Sequence, residues 1–290
     1  MGEIPRLNGV IRVLEQGGTA ITSFASTDIE TAIALSTSRY DGVVFEMEHG
    51  PYDIRELRHA LQYLLNRRQI VERGTLAPAV TPLVRIPPNG GERNQWIAKQ
   101  VLDSGVYGIV WPHVSTVEDA YNAVAACRYP RPKGAPRYEP EGQRGDAPTA
   151  AARYWGLTQQ EYYARADVWP LDPNGEILVI IMCEEVRAID ELPRILKEVP
   201  GIGVVLIGEG DLSQNLGYPR QYDHPAVVEA MRAILRICQE HGVACGHPHV
   251  DANNVARLVE EGYRFLMPGP TRSFAGLDAA LRVTGRAPAS

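Results

Sequence analysis

The side chains that could do chemistry form a short set, and most of them stand just where an apolar run ends. Glu46, Glu48 and His49 close the run that begins at Gly42, and Arg85 closes Pro82–Val84. His113 follows Gly108–Trp111, Glu184 and Glu185 follow Ile177–Met182, Asp211 follows Gly203–Ile207, and His247 and His249 follow Val243–Cys245. Glu184 and Asp211, on neighbouring strand ends, could share one divalent cation. An all-oxygen shell completed by water suits Mg2+, Mn2+ or Co2+ better than a structural zinc. Spacing alone leaves this open, because a carboxylate after a strand is commonly a helix cap, and Asp211 could cap the turn at Leu212. His49 reads equally as a proton acceptor or as a loop residue. Arg85 is harder to dismiss, since a charge closing an apolar run needs a partner. Asp103, ending a helical pattern, could orient His49 or be a polar residue of its last turn.

The lysines close off one route. Only Lys99, Lys133 and Lys197 are present, two within helical patterns and one in a proline-rich stretch. None closes a strand, so a Schiff-base enzyme is not indicated.

The elements that must position these groups alternate regularly. Strand candidates are Thr19–Ser23, Gly42–Met47, Pro82–Arg85, Gly108–Trp111, Ile177–Met182, Gly203–Ile207, Val243–Cys245 and Arg264–Met267. Several are apolar on consecutive residues, as strands buried on both faces are. Amphipathic stretches between them start at Asp28, Asp53 and Ser115-Thr116 and stop at Gly105, Gly242 and Gly262. Eight strand–helix alternations point to a parallel sheet closed into a (β/α)8 TIM barrel, with its active site at the C-terminal ends of the strands. The alternative is an open doubly wound sheet, for which Gly208-Glu209-Gly210 is only a fragment of the expected glycine motif. We expect one domain over residues 1–290, with a long insertion at about 128–176 before the fifth strand. That insertion holds seven prolines and the aromatic piece Tyr154 to Trp169. It reads as a lid, a subunit contact or a bare surface elaboration.

Bulk properties narrow the class. The 290 residues are 44% hydrophobic and 22% charged, ordinary for a globular protein. The net charge of −6 offers no basic stripe for nucleic acid. No apolar run suits a signal peptide or a membrane span. Four cysteines without C-x-x-C spacing fit a reducing cytoplasm.

Several blocks also resemble one family. The run Asp41–Asp53 (DGVVFEMEHGPYD) resembles the D-x-x-x-x-D-x-E-H-x-P-x-D block of the HpcH/HpaI aldolase family, whose barrel is of the phosphoenolpyruvate/pyruvate-binding type. Pro82–Arg85 (PLVR) is similar to its V-R-P segment, Val101–Gly105 (VLDSG) to its L-D-x-G, and Cys183-Glu184 to its V-E. Val205–Gly217 (VLIGEGDLSQNLG) is similar to F-I-G-P-A-D-L-S-x-x-L-G. The blocks fall in the family's order and cover roughly Gly18 to Leu281.

The resemblance implies a class II pyruvate aldolase of the 4-hydroxy-2-oxoheptanedioate aldolase kind, cleaving a 2-oxo-4-hydroxy acid to pyruvate and an aldehyde. It implies Glu184 and Asp211 as metal ligands and Arg85 on the keto and carboxylate oxygens. His49 would be the base, through a water, with Asp103 orienting it. Gly210, Asp211 and Ser213 would hold the pyruvate carboxylate. It also implies a homo-oligomer, a hexamer, in which the last helix, Thr271–Leu281, docks on a neighbour.

Departures are visible. Glu209 interrupts the I-G-P-A-D pattern beside the expected metal pocket, Glu46 replaces an aspartate, and extra residues lie around Pro88–Gly91. His247 and His249 occupy a strand end that is usually apolar in relatives. We expect His113 and His247 to line the aldehyde side, roofed by Tyr154 and Trp155. Rival readings are an oxaloacetate-type decarboxylase, a citrate-lyase-like enzyme acting on a CoA ester, and a catalytically dead barrel used for binding.

Overall fold

The apolar runs pair side by side in chain order. In the computed structural model, which describes residues 4–87, 95–269 and 274–286, the strands are β1 (Ala20–Ile21), β2 (Phe24–Ala25), β3 (Gly42–Glu46), β4 (Thr81–Arg85), β5 (Gly108–Trp111), β6 (Val168–Trp169), β7 (Ile177–Cys183), β8 (Val204–Ile207), β9 (Ala244–Val250) and β10 (Phe265–Pro268). All pairings are parallel. Nine strands follow the order β1-β10-β9-β8-β7-β5-β4-β3-β2, and β6 lies against β7. The order never reverses, which removes the doubly wound alternative, since that fold needs a switch point. β1 and β2 end the path on opposite sides, yet only Thr22 and Ser23 separate them. The Thr22 N–H donates to the Leu266 carbonyl at 2.9 Å, and the Val44 N–H donates to the Ser23 carbonyl at 2.8 Å. The sheet is therefore curled, with one stretch of chain serving both of its edges.

Each expected strand is found, with two changes. Thr19–Ser23 becomes the split pair β1 and β2. β9 continues past Cys245 to Val250, so His247 and His249 lie within a strand instead of after it. Gly246 and Pro248 read as turn residues, but β10 keeps the backbone extended by pairing as far as Pro268 with Val250, across an irregular register.

Helices cover the outer face of the sheet. Asp28, Asp53 and Thr116 cap helices Ile29–Leu35, Ile54–Leu64 and Val117–Ala126 through their side chains, as their positions predict. Gly105, Gly242 and Gly262 all take positive φ where helices end. Val43, Phe45, Ile109 and Val179 are fully buried on the face towards the helices, and Leu83 and Leu206 on the opposite face, which Arg85 and Met182 share. The four cysteines are buried free thiols. Among the described residues no helix is long and apolar enough to cross a membrane.

The segment 128–176 forms helices Thr149–Trp155 and Gln159–Arg165 and strand β6. It packs under the N-terminal ends of the strands, opposite the end where β3, β4, β7 and β8 deliver their acids and Arg85. The Trp155 indole stacks on Tyr107 at 4.4 Å, immediately before β5, and donates to the Gly105 carbonyl at 2.8 Å. Tyr154 packs over Gly105. At the start of β7 the Glu176 carboxylate accepts the Leu7 and Asn8 N–H groups at 3.0 and 2.8 Å. The lid reading and the aromatic roof over the substrate are therefore corrected. The aromatics lie at the far end because their partners, Tyr107, Tyr162 and the Gly105 backbone, are there.

The described part of the last helix, Ala275–Val283, buries Leu277, Ala280 and Leu281 against its own chain, chiefly helix Val255–Glu261 and β10. Its Asp278 pairs with Arg39. The start of the expected docking stretch, Thr271–Ser273, and the extra residues Pro88–Gly91 lie outside the described residues.

Candidate active site

The register of β3 and β4 sets the first part of the site. Glu46 and Arg85 are direct partners across the pair, so their side chains meet. The Arg85 Nε donates to Glu46 at 2.7 Å, and its Nη1 lies 3.1 Å from Glu48. Its guanidinium stacks over the Phe24 ring at 4.4 Å, and Met182 Sδ is 3.8 Å away. The other Glu46 oxygen accepts the N–H groups of Glu48 and His49 at 2.8 and 3.1 Å. Glu46 thus ties the loop after β3 to the arginine. Burial raises the Glu48 carboxyl above its usual range although Arg85 opposes this.

The register of β7 and β8 sets the second part. Cys183 pairs with Ile207, which brings the next residues, Glu184 and Gly208, together. A Cβ on Gly208 would lie 2.2 Å from Glu184 Oε2 and 2.5 Å from its Cβ, so only glycine leaves room for this carboxylate. Glu184 is 2% exposed. Burial pushes its carboxyl up to about 7; His113 opposes this, while Glu48 and Asp211 add to it. His113 sits at φ 53. Its N–H donates to Glu184 at 2.5 Å, and its ring Nδ1 is 3.1 Å from Glu185. Glu185 also accepts the Ser115 hydroxyl at 2.9 Å. Asp211 lies in the first turn of helix Glu209–Asn215, which Gly208 caps without a side-chain bond, so Asp211 is not itself a cap. Nothing lies within 4 Å of a Cβ built on Gly210, so the space before that backbone is open.

The structure thus brings Arg85, His113, Glu184 and Asp211 to one end of the sheet and adds Glu46, Glu48 and Phe24. Glu46 and Glu48 were legible as strand-end acids. Phe24 carried no signal, because its role is set by a strand that the sequence does not show to be split.

The remaining expected residues are placed differently. His49 stands at the rim, its side chain 66% exposed and 3.6 Å from Glu48. Ser213 is buried, with its hydroxyl donating to the Gly210 carbonyl at 2.7 Å and accepting the Arg220 N–H at 3.0 Å. Asp103 is the last residue of helix Gln95–Asp103 and pairs with Arg144 of the insertion at 3.1 Å. The helix runs back from the mouth, so its end is remote from the rim where His49 lies.

His247 faces the outer helices and leaves the mouth. Alternate residues of a strand share a face, and the Cys245 thiol on that face is hydrogen-bonded with the free Cys238 thiol of helix Pro225–Glu240. The His247 ring meets the Tyr263 edge at 5.2 Å in a cavity of about 230 Å3 that also holds Met231 and Leu258. Glu209 turns to the same cavity, away from the metal pocket. It bonds His249 and lies 3.6 Å from His247.

The carboxylates at the mouth fit a hard divalent cation. Glu184 and Asp211 offer oxygen only, and burial, with Glu48 and Asp211 nearby, makes Glu184 hold its proton unusually tightly. Among the described residues no group of three His, Cys, Asp or Glu side chains is placed to hold a metal. A cation here would therefore take two protein carboxylates and complete its shell with other oxygens.

Comparison with known proteins bears on the family of the chain. The model of the HpcH/HpaI aldolase/citrate lyase family matches residues 24–273. A 2-keto-3-deoxy-L-rhamnonate aldolase of Klebsiella pneumoniae subsp. pneumoniae is 34% identical over 267 residues, 91% of this chain and 86% of that protein. A solved HpcH/HpaI aldolase/citrate lyase family protein from Burkholderia cenocepacia J2315 superposes with a TM-score of 0.74 at 28% identity, covering 94% of this chain and 95% of that one. A more distant structure, a citrate lyase beta subunit of M. tuberculosis complexed with oxaloacetate and magnesium, shares the fold at a TM-score of 0.58 and 12% identity, over 93% of this chain and 98% of that one. The chain therefore belongs to the HpcH/HpaI aldolase/citrate lyase family and is an enzyme, a lyase, of that family.

Proposed function

We propose that this chain is a class II aldolase that reversibly cleaves a 2-oxo-4-hydroxy acid, of the 2-keto-3-deoxy sugar acid class, to pyruvate and an aldehyde. The observation that carries the reading is Arg85, held by Glu46 and Glu48 at the same end of the sheet as Glu184 and Asp211. A guanidinium and a pair of carboxylates able to hold a cation suit a 2-oxo acid, since its keto oxygen takes up the enolate charge as the carbon–carbon bond breaks, beside a carboxylate that is already negative.

In this reading Glu184 and Asp211 hold a divalent ion (Mg2+, Mn2+ or Co2+). Bound there, it supplies Lewis-acid neutralisation of the enolate charge, an effect worth several kcal/mol. Arg85 binds the keto and carboxylate oxygens, and its stacking on Phe24 fixes its angle. The N–H groups of Gly210 and Asp211, in the first helical turn beside that open space, would hold the carboxylate, with the Ser213 hydroxyl donating to the Gly210 carbonyl. His49 at the rim accepts the hydroxyl proton through a water. His113 borders the aldehyde side. Asp103 and His247 take no direct part, because Arg144 and the outer cavity hold them.

The same reading makes the curled sheet a closed (β/α)8 barrel in one domain, with residues 19–25 as its first strand. It places the enzyme in the cytoplasm as a homo-hexamer.

The test is pyruvate release from 2-keto-3-deoxy acids with and without chelator. We expect chelation to abolish activity and a divalent ion to restore it. Borohydride trapping of pyruvate on the protein would sink the reading. Decarboxylation of oxaloacetate without aldol cleavage would select the decarboxylase, and activity confined to CoA esters would select the citrate-lyase-like alternative.

A further inference from the structure

Glu209, which opens its helix, and His247 and His249 of β9 meet in one place. In the structure Glu209 is 2% exposed, wedged between the two rings, with one oxygen on His249 Nδ1 and the other 3.6 Å from His247 Nε2. His249 also stacks on Tyr222 at 5.2 Å, and the Asn254 amide holds its carbonyl at 3.0 Å. A buried glutamate needs such partners. The three residues are one physical unit.

The unit sits behind the metal pocket. Successive residues of a helix project about 100° apart, so Glu209 and Asp211 point to roughly opposite sides of one turn. Glu209 reaches the helix-facing side of β9, and Asp211 faces Glu184 and His113. No side chain caps the start of helix Glu209–Asn215. Ser213 secures its far half, through Gly210 and Arg220. Backbone bonds fix the turn at Gly208, whose N–H donates to the Cys183 carbonyl at 3.1 Å and whose carbonyl accepts the Leu212 N–H at 2.9 Å; the side-chain hold on the first turn from outside the helix is the grip of β9 on Glu209.

We propose that His249 and His247 act through Glu209 as positioning residues that fix Asp211 for the divalent ion. The proposal rests on the reading of Asp211 as a metal ligand. It makes the outer cavity part of the metal-binding apparatus although no atom of it touches the metal.

The experiment measures Mn2+ binding by the loss of the free-ion electron paramagnetic resonance signal, together with the melting temperature of each variant. Glu209→Ala and His249→Ala are expected to weaken Mn2+ binding about tenfold or more, as loss of a ligand's supporting shell commonly does. Glu209→Gln, which still accepts a hydrogen bond, is expected to stay near wild type. Met231→Ala opens the same cavity without touching Glu209, so its melting temperature should fall while Mn2+ binding is kept. If Glu209→Ala does not fold, His249→Ala and Glu209→Gln carry the test. Wild-type binding in both alanine variants, with Asp211→Asn losing the ion, would overturn the clamp alone. Equal weakening in Met231→Ala would overturn it as well, as a general packing effect. Undiminished binding in Asp211→Asn, or none in the wild type, would remove the ligand reading and the clamp together.

Discussion

Arg85 is oriented before any ligand arrives, since two carboxylates and an aromatic ring already define its plane. His49 has one loose neighbour and a free ring. The two should fail differently. We predict that Arg85→Ala raises the KM for pyruvate and slows exchange of its methyl protons, whereas His49→Ala lowers kcat by about 100-fold or more with pyruvate binding kept. Equal and mild losses in both would place the chemistry elsewhere. Gly208 makes a sharper test. Its missing Cβ is the space that Glu184 occupies, so Gly208→Ala should abolish divalent-ion binding measured by calorimetry in a protein that still folds. Retained affinity would show that Glu184 is not a ligand. At this scale the sequence was a good guide to which side chains gather at the mouth, because strand ends are local. It misled for Asp103 and His247. The partner of Asp103, Arg144, comes from a segment that no periodicity could place, and the face taken by His247 depends on β9 running past two turn-like residues.

The insertion is the element whose identity the sequence marked and whose position it did not. Proline, arginine and aromatic content announced a departure from the repeat, but which end of the sheet it covers follows from long-range partners such as Trp155 with Gly105. Its stability centres on Arg128, which is 1% exposed. Arg128 donates to Asp167 at 2.7 Å and to the carbonyls of Arg137 and Pro140 at 2.7 and 2.6 Å. We predict that Arg128→Ala costs about 3 kcal/mol in chemical denaturation, because it leaves buried Asp167 with only Arg131 and the Val168 N–H and strands several carbonyls. A loss no larger than that of an exposed arginine would refute this. Burial alone would raise the Asp167 carboxyl, but Arg128, the Val168 N–H and Arg131 outweigh it and hold it below its usual range. A depressed carboxyl stabilises the fold above its unfolded pKa and loses that contribution as pH falls through its folded value. The stabilisation from this pair should therefore be intact at neutral pH, begin to fall below about pH 4 and vanish only below the depressed folded value. A denaturation series on wild type and Asp167→Asn should draw together only in that acid range.

For the whole molecule, the strand order was legible because alternation fixes neighbours in a parallel sheet, while the way its two edges meet at Thr22 and Ser23 was not. Assembly is a separate question. The described part of the last helix is satisfied within its own chain, whereas Tyr63, Ile70, Val71 and Leu76 leave apolar surface exposed within one short stretch. We predict a hexamer by light scattering and a smaller species for Val71→Asp; a monomeric wild type would contradict both. The anchoring of residues 7 and 8 on Glu176 has a further consequence for synthesis. The Leu7 N–H and its acceptor are 169 residues apart, so the opening turn leaves the ribosome long before the carboxylate that receives it exists. Helix Gly9–Glu15 is too short to persist alone in water, and closing so long a loop comes late in folding. Residues 7 and 8 are thus fixed long after they are made, and a nascent chain halted before Glu176 should leave them open to protease.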